Sequence, residues 1–195
     1  ALPICVTVIG AVSPQGGDFS EPVTQNTKRY VRTFWGLDRA LAYARHFPSI
    51  NWLTSYSEYA DDLRPWYDEH VGPEFVTCRH QMAHLLQKES ELMEIVKLIG
   101  ADILPEDQKL IIETAKLFRV GFLQQNAYHA IDTYVPLDKQ LRMMELMLKL
   151  YHGAKDIVSR AIPLSQLKET GIFEALAKMK YEVPNDGQEK FAEYD

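Results

Sequence analysis

The sequence predicts a mainly α protein, in which a helical bundle is preceded by one strand and helices left over from a truncated α/β domain. Three observations support this prediction. An apolar, β-branched run from Ile4 to Val12 is typical of a strand. Long segments with helical spacing of apolar residues follow it. Gly100, Pro105 and Pro136 divide those segments at the positions where helices end and begin.

The run from Ile4 to Val12 predicts a strand that is covered on both faces. A single buried strand is unstable because its backbone groups and both of its faces need partners. Nothing downstream supplies those partner strands. We therefore expect the 195 residues to be a fragment whose neighbouring strands precede Ala1.

From Thr24 the pattern becomes helical, with Thr24 as the expected N-cap. One apolar stripe supports this helix: Val31, Phe34, Leu37, Leu41 and Ala44. Pro48 is expected to end it, because the residue before a proline is driven away from helical geometry. A short aromatic helix is expected over 55–67.

Apolar periodicity predicts helices over the rest of the chain. A long helix ends at Gly100, and Pro105 opens the next, with acidic residues in its first turn. A loop near Asp132–Val135 leads to Pro136 and another long helix, which Pro163 ends. A weaker helix is expected over 172–180, and a disordered tail from Pro184. The predicted division is 1–65 for the α/β remnant, 66–183 for the helical domain and 184–195 for the tail.

Charge and composition narrow the classes of partner. A net charge of −6 argues against nucleic acid or an anionic membrane surface as a partner. No apolar run reaches the roughly 18 residues that span a membrane, so we expect no direct membrane insertion. The two cysteines, Cys5 and Cys78, are far apart and are expected to be reduced thiols.

Two short motifs are candidate sites for phosphate or metal. The sequence contains no GxxxxGK[ST] phosphate loop. His80 and His84 have metal-ligand spacing, but Gln81 stands where a zincin has its glutamate, so surface histidines are favoured and no metal site is predicted. Gly16-Gly17-Asp18 favours a tight turn, or a contact with a neighbouring subunit, over a phosphate site.

The sequence allows two interpretations for a pair of aromatic side chains and for a group of methionines: packing in the core, or contact with a ligand or partner. Phe47, beside Pro48, and Tyr128 could stack on a base, because every base offers a π-face, but the sequence alone favours core packing for each ring. Met143, Met144 and Met147 form a stripe that suits bundle core or contact with a partner.

Five blocks, in order along the chain, resemble the catalytic A subunit (alpha chain) of archaeal and bacterial V-type rotary ATPases. They are GGDFSEPVTQNT at 16–27, FWGLD at 34–38, HFPSINWLTSYS at 46–57, LLQKESEL at 85–92 and FLQQNAY at 122–128. The resemblance implies that 1–65 is the end of a phosphate-loop nucleotide-binding domain. It also implies that the helices form the carboxyl-terminal domain of that protein.

The same resemblance implies the site and the partners. The family's adenine-flanking aromatics fall on Phe47 and Tyr128, the second being tyrosine where phenylalanine is more usual. ATP or ADP with Mg²⁺ is implied for the intact protein, with none tightly bound to the fragment. The catalytic and Mg²⁺-binding residues are expected upstream, so this chain should contain no catalytic residue and be inactive alone.

Alternating B subunits of an A3B3 head and the central rotor stalk are the implied partners, on the cytoplasmic side of a membrane. The intact protein would couple ATP synthesis or hydrolysis to H⁺ or Na⁺ transport. Two alternatives remain open: the related non-catalytic, nucleotide-binding B subunit, and a free-standing helical interaction module. The segment FWGLD at 34–38 argues against the B subunit.

Overall fold

The structure is a computed structural model that describes residues 6–100 and 103–195. Its amino-terminal part contains a 3-10 turn at Gln15–Gly17, α1 Pro22–Tyr30, β1 Thr33–Phe34, α2 Arg39–Tyr43, β2 Tyr56–Ser57, α3 Tyr59–Asp62 and α4 Arg64–His70. The helical part contains α5 Phe75–Ile99, α6 Glu106–Phe118, a π-helix Arg119–Leu123, α7 Leu137–Ser159, α8 Leu164–Glu169, α9 Ile172–Glu182 and a 3-10 helix Gln188–Tyr194.

The prediction of a strand over Ile4–Val12 is wrong for those of its residues that the structure describes. Residues 6–12 form no ladder, and the side chains of Val6, Val8 and Ile9 are 76%, 85% and 82% exposed. The physical reason is the one that made the sequence look incomplete: an apolar strand needs neighbours on its edges and faces. The first two residues of the expected strand lie outside the described residues.

The single helix expected from Thr24 to Pro48 is also wrong. Pro22 occupies the first helical turn of α1, where its missing N–H costs nothing, so Glu21 is the N-cap and Thr24 lies buried inside the helix. The chain then extends, and β1 pairs antiparallel with β2. Asp38 caps the short α2 by accepting from the backbone amides of the second and third residues after it. β-Branched and aromatic residues after Tyr30 therefore form a strand pair and not a helical stripe.

The aromatic segment after residue 55 is only partly helical at the expected positions. Its first residues form β2, and two short helices, α3 and α4, follow and extend to His70. The ring of Tyr67 in α4 stacks on Phe75 at the start of α5, with centroids 4.7 Å apart. This contact packs α4 on the start of α5.

The long helices confirm the periodicity. α5 ends before Gly100, which has φ = 87°, α6 follows Pro105, and α7 follows Pro136. α9 extends two residues beyond its expected end, and α8 was not expected from the sequence. α5, α6 and α7 pack on one another, and α9 packs on the π-helix.

The core of the bundle is rich in methionine. The side chains of Met143, Met144 and Met147 are at most 3% exposed, which confirms the core interpretation of this stripe. Cys78 is a buried free thiol, and its burial raises its pKa to about 11, so it is not a reactive thiolate at neutral pH. No helix in the described ranges is both long and apolar enough to cross a bilayer.

The carboxyl-terminal tail differs from the expected disordered segment. It forms the 3-10 helix Gln188–Tyr194, whose Phe191 is 2% exposed in the bundle core. Asp195 accepts from Arg142 at 2.5 Å and lies 3.4 Å from the ammonium of Lys149, both on α7. Disorder was expected because the tail is mostly polar, but burial of the single aromatic ring of Phe191 is enough to hold this short segment on the bundle.

Replacing Phe191 with alanine should lower the free energy of unfolding by about 3 kcal/mol, because a fully buried ring is lost from the core. Urea denaturation of the chain measures the change. Glu193→Ala in the same 3-10 helix is exposed and should shift stability by less than about 0.5 kcal/mol. Equal midpoints for F191A and the unmodified chain would contradict the docked tail.

Candidate functional site

Two loops that are distant in sequence meet at one place in the fold. The Phe47 loop (44–55) follows α2, and the Tyr128 loop (124–136) follows the π-helix. The amide of Gln125 donates to the carbonyl oxygen of Phe47 at 2.7 Å, and Gln124 Nε2 donates to the carbonyl of Arg45 at 3.3 Å. The structure therefore fixes the Phe47 backbone against the Tyr128 loop.

The Phe47 loop is held on both sides of the ring. Arg45 has φ = 56°, and the ring of His46 packs on Trp52 with centroids 5.5 Å apart. Downstream, Asn51 Oδ1 accepts hydrogen bonds from the backbone amides two and three positions after it. The Phe47 side chain is 51% exposed, so part of its surface is open to a ligand.

The Tyr128 loop is shaped by its own polar side chains. Asn126 Oδ1 accepts from the Tyr128 amide at 3.0 Å, and Thr133 Oγ1 donates to the carbonyl oxygens of Ala127 and His129. The Tyr128 side chain is 99% exposed. Of the two alternatives that the sequence left open, core packing is excluded for Tyr128.

A buried ion pair lies beneath the Tyr128 loop. The Lys180 ammonium, on α9, donates to the carbonyl oxygens of Val120 at 2.9 Å and Gln124 at 2.6 Å, and lies 3.7 Å from the Asp132 carboxylate. Asp132 Oδ2 accepts from the Asn126 amide at 2.7 Å. The side chains of both ions are at most 3% exposed. The pair thus closes the end of the π-helix and fixes the start of the loop.

A second buried lysine supports the other side of the loop. Lys139 Nζ donates to the carbonyl oxygens of Lys180 and Val183 and to Asn185 Oδ1, which satisfies the end of α9. Asn185 Nδ2 donates in turn to two carbonyl oxygens of the Tyr128 loop. Burial lowers the pKa of both lysines, and the Asp132 carboxylate opposes that lowering.

Sequence reasoning missed this network although a signal for it exists. Lys139 stands four residues before Met143, and Lys180 stands four residues after Leu176, so each lysine shares a helix face with core residues. A lysine is almost never fully buried unless it is paired. Its presence on a core face therefore indicates a nearby carboxylate or a cluster of carbonyl oxygens.

A cavity of about 210 Å³ separates the Tyr128 loop from the bundle. Its wall combines apolar side chains such as Phe122 with the polar groups of Gln125, Asp132, Gln140 and Lys180. The same two ions that hold the loop therefore also border the space behind it.

Positive charge surrounds His46 in the Phe47 loop. His46 is 9% exposed, and burial lowers its pKa, with Arg119 and Lys180 lowering it further. Arg119, in the π-helix, is itself paired with Glu89 of α5 at 2.7 Å. His46 is consequently held neutral at the junction of the two loops.

The remaining candidate motifs lie elsewhere. Gly16 and Gly17 have φ = 67° and 80°, and Asp18 accepts from the amide and hydroxyl of Ser20, so the predicted turn is confirmed. His80 and His84 lie on the exposed side of α5, as the surface interpretation expected. Across the described ranges, no three His, Cys, Asp or Glu side chains are grouped to hold a metal ion.

Two family models match successive parts of the chain. Residues 4–57 match the nucleotide-binding domain of the ATP synthase alpha/beta family, and residues 64–168 match the C-terminal domain of V and A type ATP synthase.

Relatives of known name match nearly the whole chain. The V-type ATP synthase alpha chain 2 of Clostridium tetani is 56% identical over 93% of this chain and 31% of the relative. The V-type ATP synthase alpha chain of Halothermothrix orenii is 50% identical over 95% of this chain and 32% of the relative. The A subunit of the A-type ATP synthase of Methanopyrus kandleri is 49% identical over 96% of this chain and 32% of the relative. The chain thus spans about a third of the length of these relatives.

A solved structure shares the fold. The ATP synthase subunit NeqB from Nanoarcheaum equitans aligns with a TM-score of 0.56 at 20% identity. The alignment covers 70% of this chain and 32% of that one.

The neutral state of His46 makes stability depend on pH. An unfolded histidine protonates near pH 6.5, whereas His46 in the folded chain protonates only at lower pH, so the unfolded chain binds more protons between the two values. The contribution of His46 to the free energy of unfolding should therefore be fully present above about pH 7. It should be lost as the pH falls through the lowered pKa of His46. His46→Gln should reduce the loss of stability between about pH 7.5 and 5, measured by urea denaturation.

The exposed His84 provides the matched control for this measurement. His84→Gln should keep the pH dependence of the unmodified chain, because a substitution at this exposed position of α5 removes no packed contact. Parallel pH profiles for H46Q and the unmodified chain would contradict the assignment.

Proposed function

Because this chain belongs to the V- and A-type ATP synthase alpha-chain family, we propose that it is the carboxyl-terminal part of a catalytic A subunit. The whole protein would couple ATP synthesis or hydrolysis to rotation of a central stalk, and so to movement of H⁺ or Na⁺. The observation that carries the proposal is the order of the two family matches, 4–57 and then 64–168, within one chain. Relatives named as A subunits, at about half identity, favour this role over that of a B subunit.

The proposed division of the chain follows from the same matches. Residues 1–65 are the end of a nucleotide-binding domain, and the helical domain begins near residue 66. The first match stops at residue 57 and the second starts at residue 64, which supports a boundary between them. The docked Phe191 supports including the tail in the helical domain.

Phe47 and Tyr128 are proposed to flank the adenine ring of ATP or ADP. Their exposure and the hydrogen bond between their loops support this role. Aromatic stacking contributes roughly 1–3 kcal/mol per base, so the two rings alone should bind a nucleotide only at millimolar concentrations. The sequence has no phosphate loop, and we assign no step of phosphoryl transfer and no Mg²⁺ ligand to its residues.

The proposed partners are B subunits, which would alternate with copies of the parent protein in the catalytic head, and the proteins of the central rotor stalk. The head would lie on the cytoplasmic side of the membrane as a peripheral sector. Large exposed side chains on the amino-terminal part support a covered surface there, notably Tyr30, Trp35, Leu37 and Tyr43, at 62% to 88% exposure. The helical domain is proposed to meet the rotor and to shift as the site opens and closes.

Truncation of either proposed adenine contact should weaken nucleotide binding by the full-length protein. Phe47→Ala and Tyr128→Ala should each raise the Kd of ATP about 5- to 150-fold, the range that corresponds to one lost stacking contact. Binding of tripolyphosphate, which has no base, should be unchanged. Isothermal titration calorimetry measures both ligands.

Tyr134 offers a matched control, because it is an equally open tyrosine at 83% exposure in the same loop. Tyr134→Ala should leave the Kd of ATP unchanged. If F47A and Y128A behave like Y134A, the proposed adenine roles of Phe47 and Tyr128 are wrong.

The 195-residue chain should not hydrolyse ATP by itself, because its sequence lacks the phosphate-loop lysine. Release of inorganic phosphate from ATP and Mg²⁺ should equal the background of a buffer blank. Turnover that follows the chain through two successive, different chromatography columns would contradict the proposal.

A further inference from the structure

We propose that Lys180 and Asp132 are positioning residues for the nucleobase, because they clamp Gln125 and thereby set Phe47 relative to Tyr128. The inference rests on the adenine role proposed above for the two rings. In the described parts of the chain, the side chains of Lys180 and Asp132 form no hydrogen bond with the ring of Phe47 or of Tyr128. Any effect of the two ions on these rings therefore passes through the backbone between the ion pair and the rings.

Gln125 is held at both of its peptide bonds by the one ion pair. The carbonyl oxygen of the preceding residue, Gln124, accepts from Lys180 at 2.6 Å. The amide of the following residue, Asn126, donates to Asp132 at 2.7 Å. Two short, charge-assisted hydrogen bonds on either side leave the Gln125 backbone little freedom to rotate.

The clamped residue is the one that carries the Phe47 loop. The Gln125 amide donates to the Phe47 carbonyl oxygen at 2.7 Å, so the direction of this N–H decides where the Phe47 backbone sits. On the other side, Asn126 Oδ1 accepts from the Tyr128 amide and holds the Tyr128 backbone. The clamp is thus connected by hydrogen bonds to the backbones of both proposed contacts.

Burial makes the clamp sensitive to either partner. Both side chains are at most 3% exposed, and in that environment an unpaired ion or an unpaired carbonyl is costly. Removing the Lys180 ammonium would leave the carbonyl oxygens of Val120 and Gln124 without this donor and Asp132 without its opposite charge. These unpaired groups would then be hydrated only if the loop opened to water, and the opening would release the Gln125 backbone.

Lys139 provides a matched control. It is a buried lysine in the same core, at 0% exposure, and its ammonium also donates to two backbone carbonyl oxygens. Those carbonyls belong to the end of α9 and not to the residues that flank Gln125. Lys139→Met therefore makes the same chemical change as Lys180→Met without cutting the clamp.

The first measurement needs no nucleotide. Amide hydrogen exchange of the isotope-labelled chain is followed by NMR for Gln125, and the Phe118 amide in the core corrects for global stability. K180M should speed exchange at Gln125 at least about tenfold, whereas K139M should change it less than about threefold. Should K180M not fold, Asp132→Asn takes its place, since it removes the charge but keeps an oxygen for Asn126, and it should speed exchange at least about threefold.

The second measurement tests the base. Chemical-shift titration of the same chains with AMP uses ribose 5-phosphate as the ligand without a base. The Kd for AMP should be about fivefold higher in K180M, and less than about twofold higher in K139M, which loosens only the other side of the Tyr128 loop. Equal exchange at Gln125 in K180M and K139M, or equal AMP affinity in them while F47A weakens it, overturns the clamp. AMP affinity unchanged by F47A shows instead that the adenine role itself is wrong.

Discussion

The buried pair of Lys180 and Asp132 is the constraint on which the candidate site depends. Its two ions come from different elements, α9 and the Tyr128 loop, and lie 3.7 Å apart with almost no exposure. A buried ion pair is a weak source of net stability, because desolvation offsets most of the attraction. Its contribution here is geometric, since the ions supply donors and an acceptor to backbone groups that no helix or sheet could satisfy.

A division of labour between core and loops follows from this arrangement. The bundle buries apolar side chains, among them Phe118 and Met147 at 0% exposure, and provides a rigid platform. The loops expose the rings of Phe47 and Tyr128, and they are held by hydrogen bonds and by the packing of the His46 ring on Trp52. A π-helix stands between the two, at the end of α6, where irregular helical geometry frees carbonyl oxygens for Lys180 to bind. The backbone that carries each ring can therefore be held in place although the ring itself is exposed.

How much the sequence predicted depended on whether the determining contacts were local. Long helices such as α5 and α7 were predictable, because their apolar faces repeat over several turns and Gly100 and Pro136 mark their bounds. The stretch after Tyr30 was not, since its strand pairing with Tyr56 and Ser57 depends on residues more than twenty positions away. The adenine roles of Phe47 and Tyr128 came from the resemblance, because a flat aromatic face alone does not distinguish a base-stacking ring from a core ring. Lys180 was missed because its partners lie 48 or more residues away in the chain.

The uncovered segment from Val6 to Val12 has a consequence for the behaviour of the chain in solution. It is uncharged, rich in β-branched residues and free of proline, and it presents unsatisfied backbone groups. Segments of this composition readily add to one another as strands, which is the first step of ordered aggregation. The same residues that a sheet would bury make the chain a template for its own self-association, and a charged substitution such as Val8→Lys would act as a gatekeeper against it.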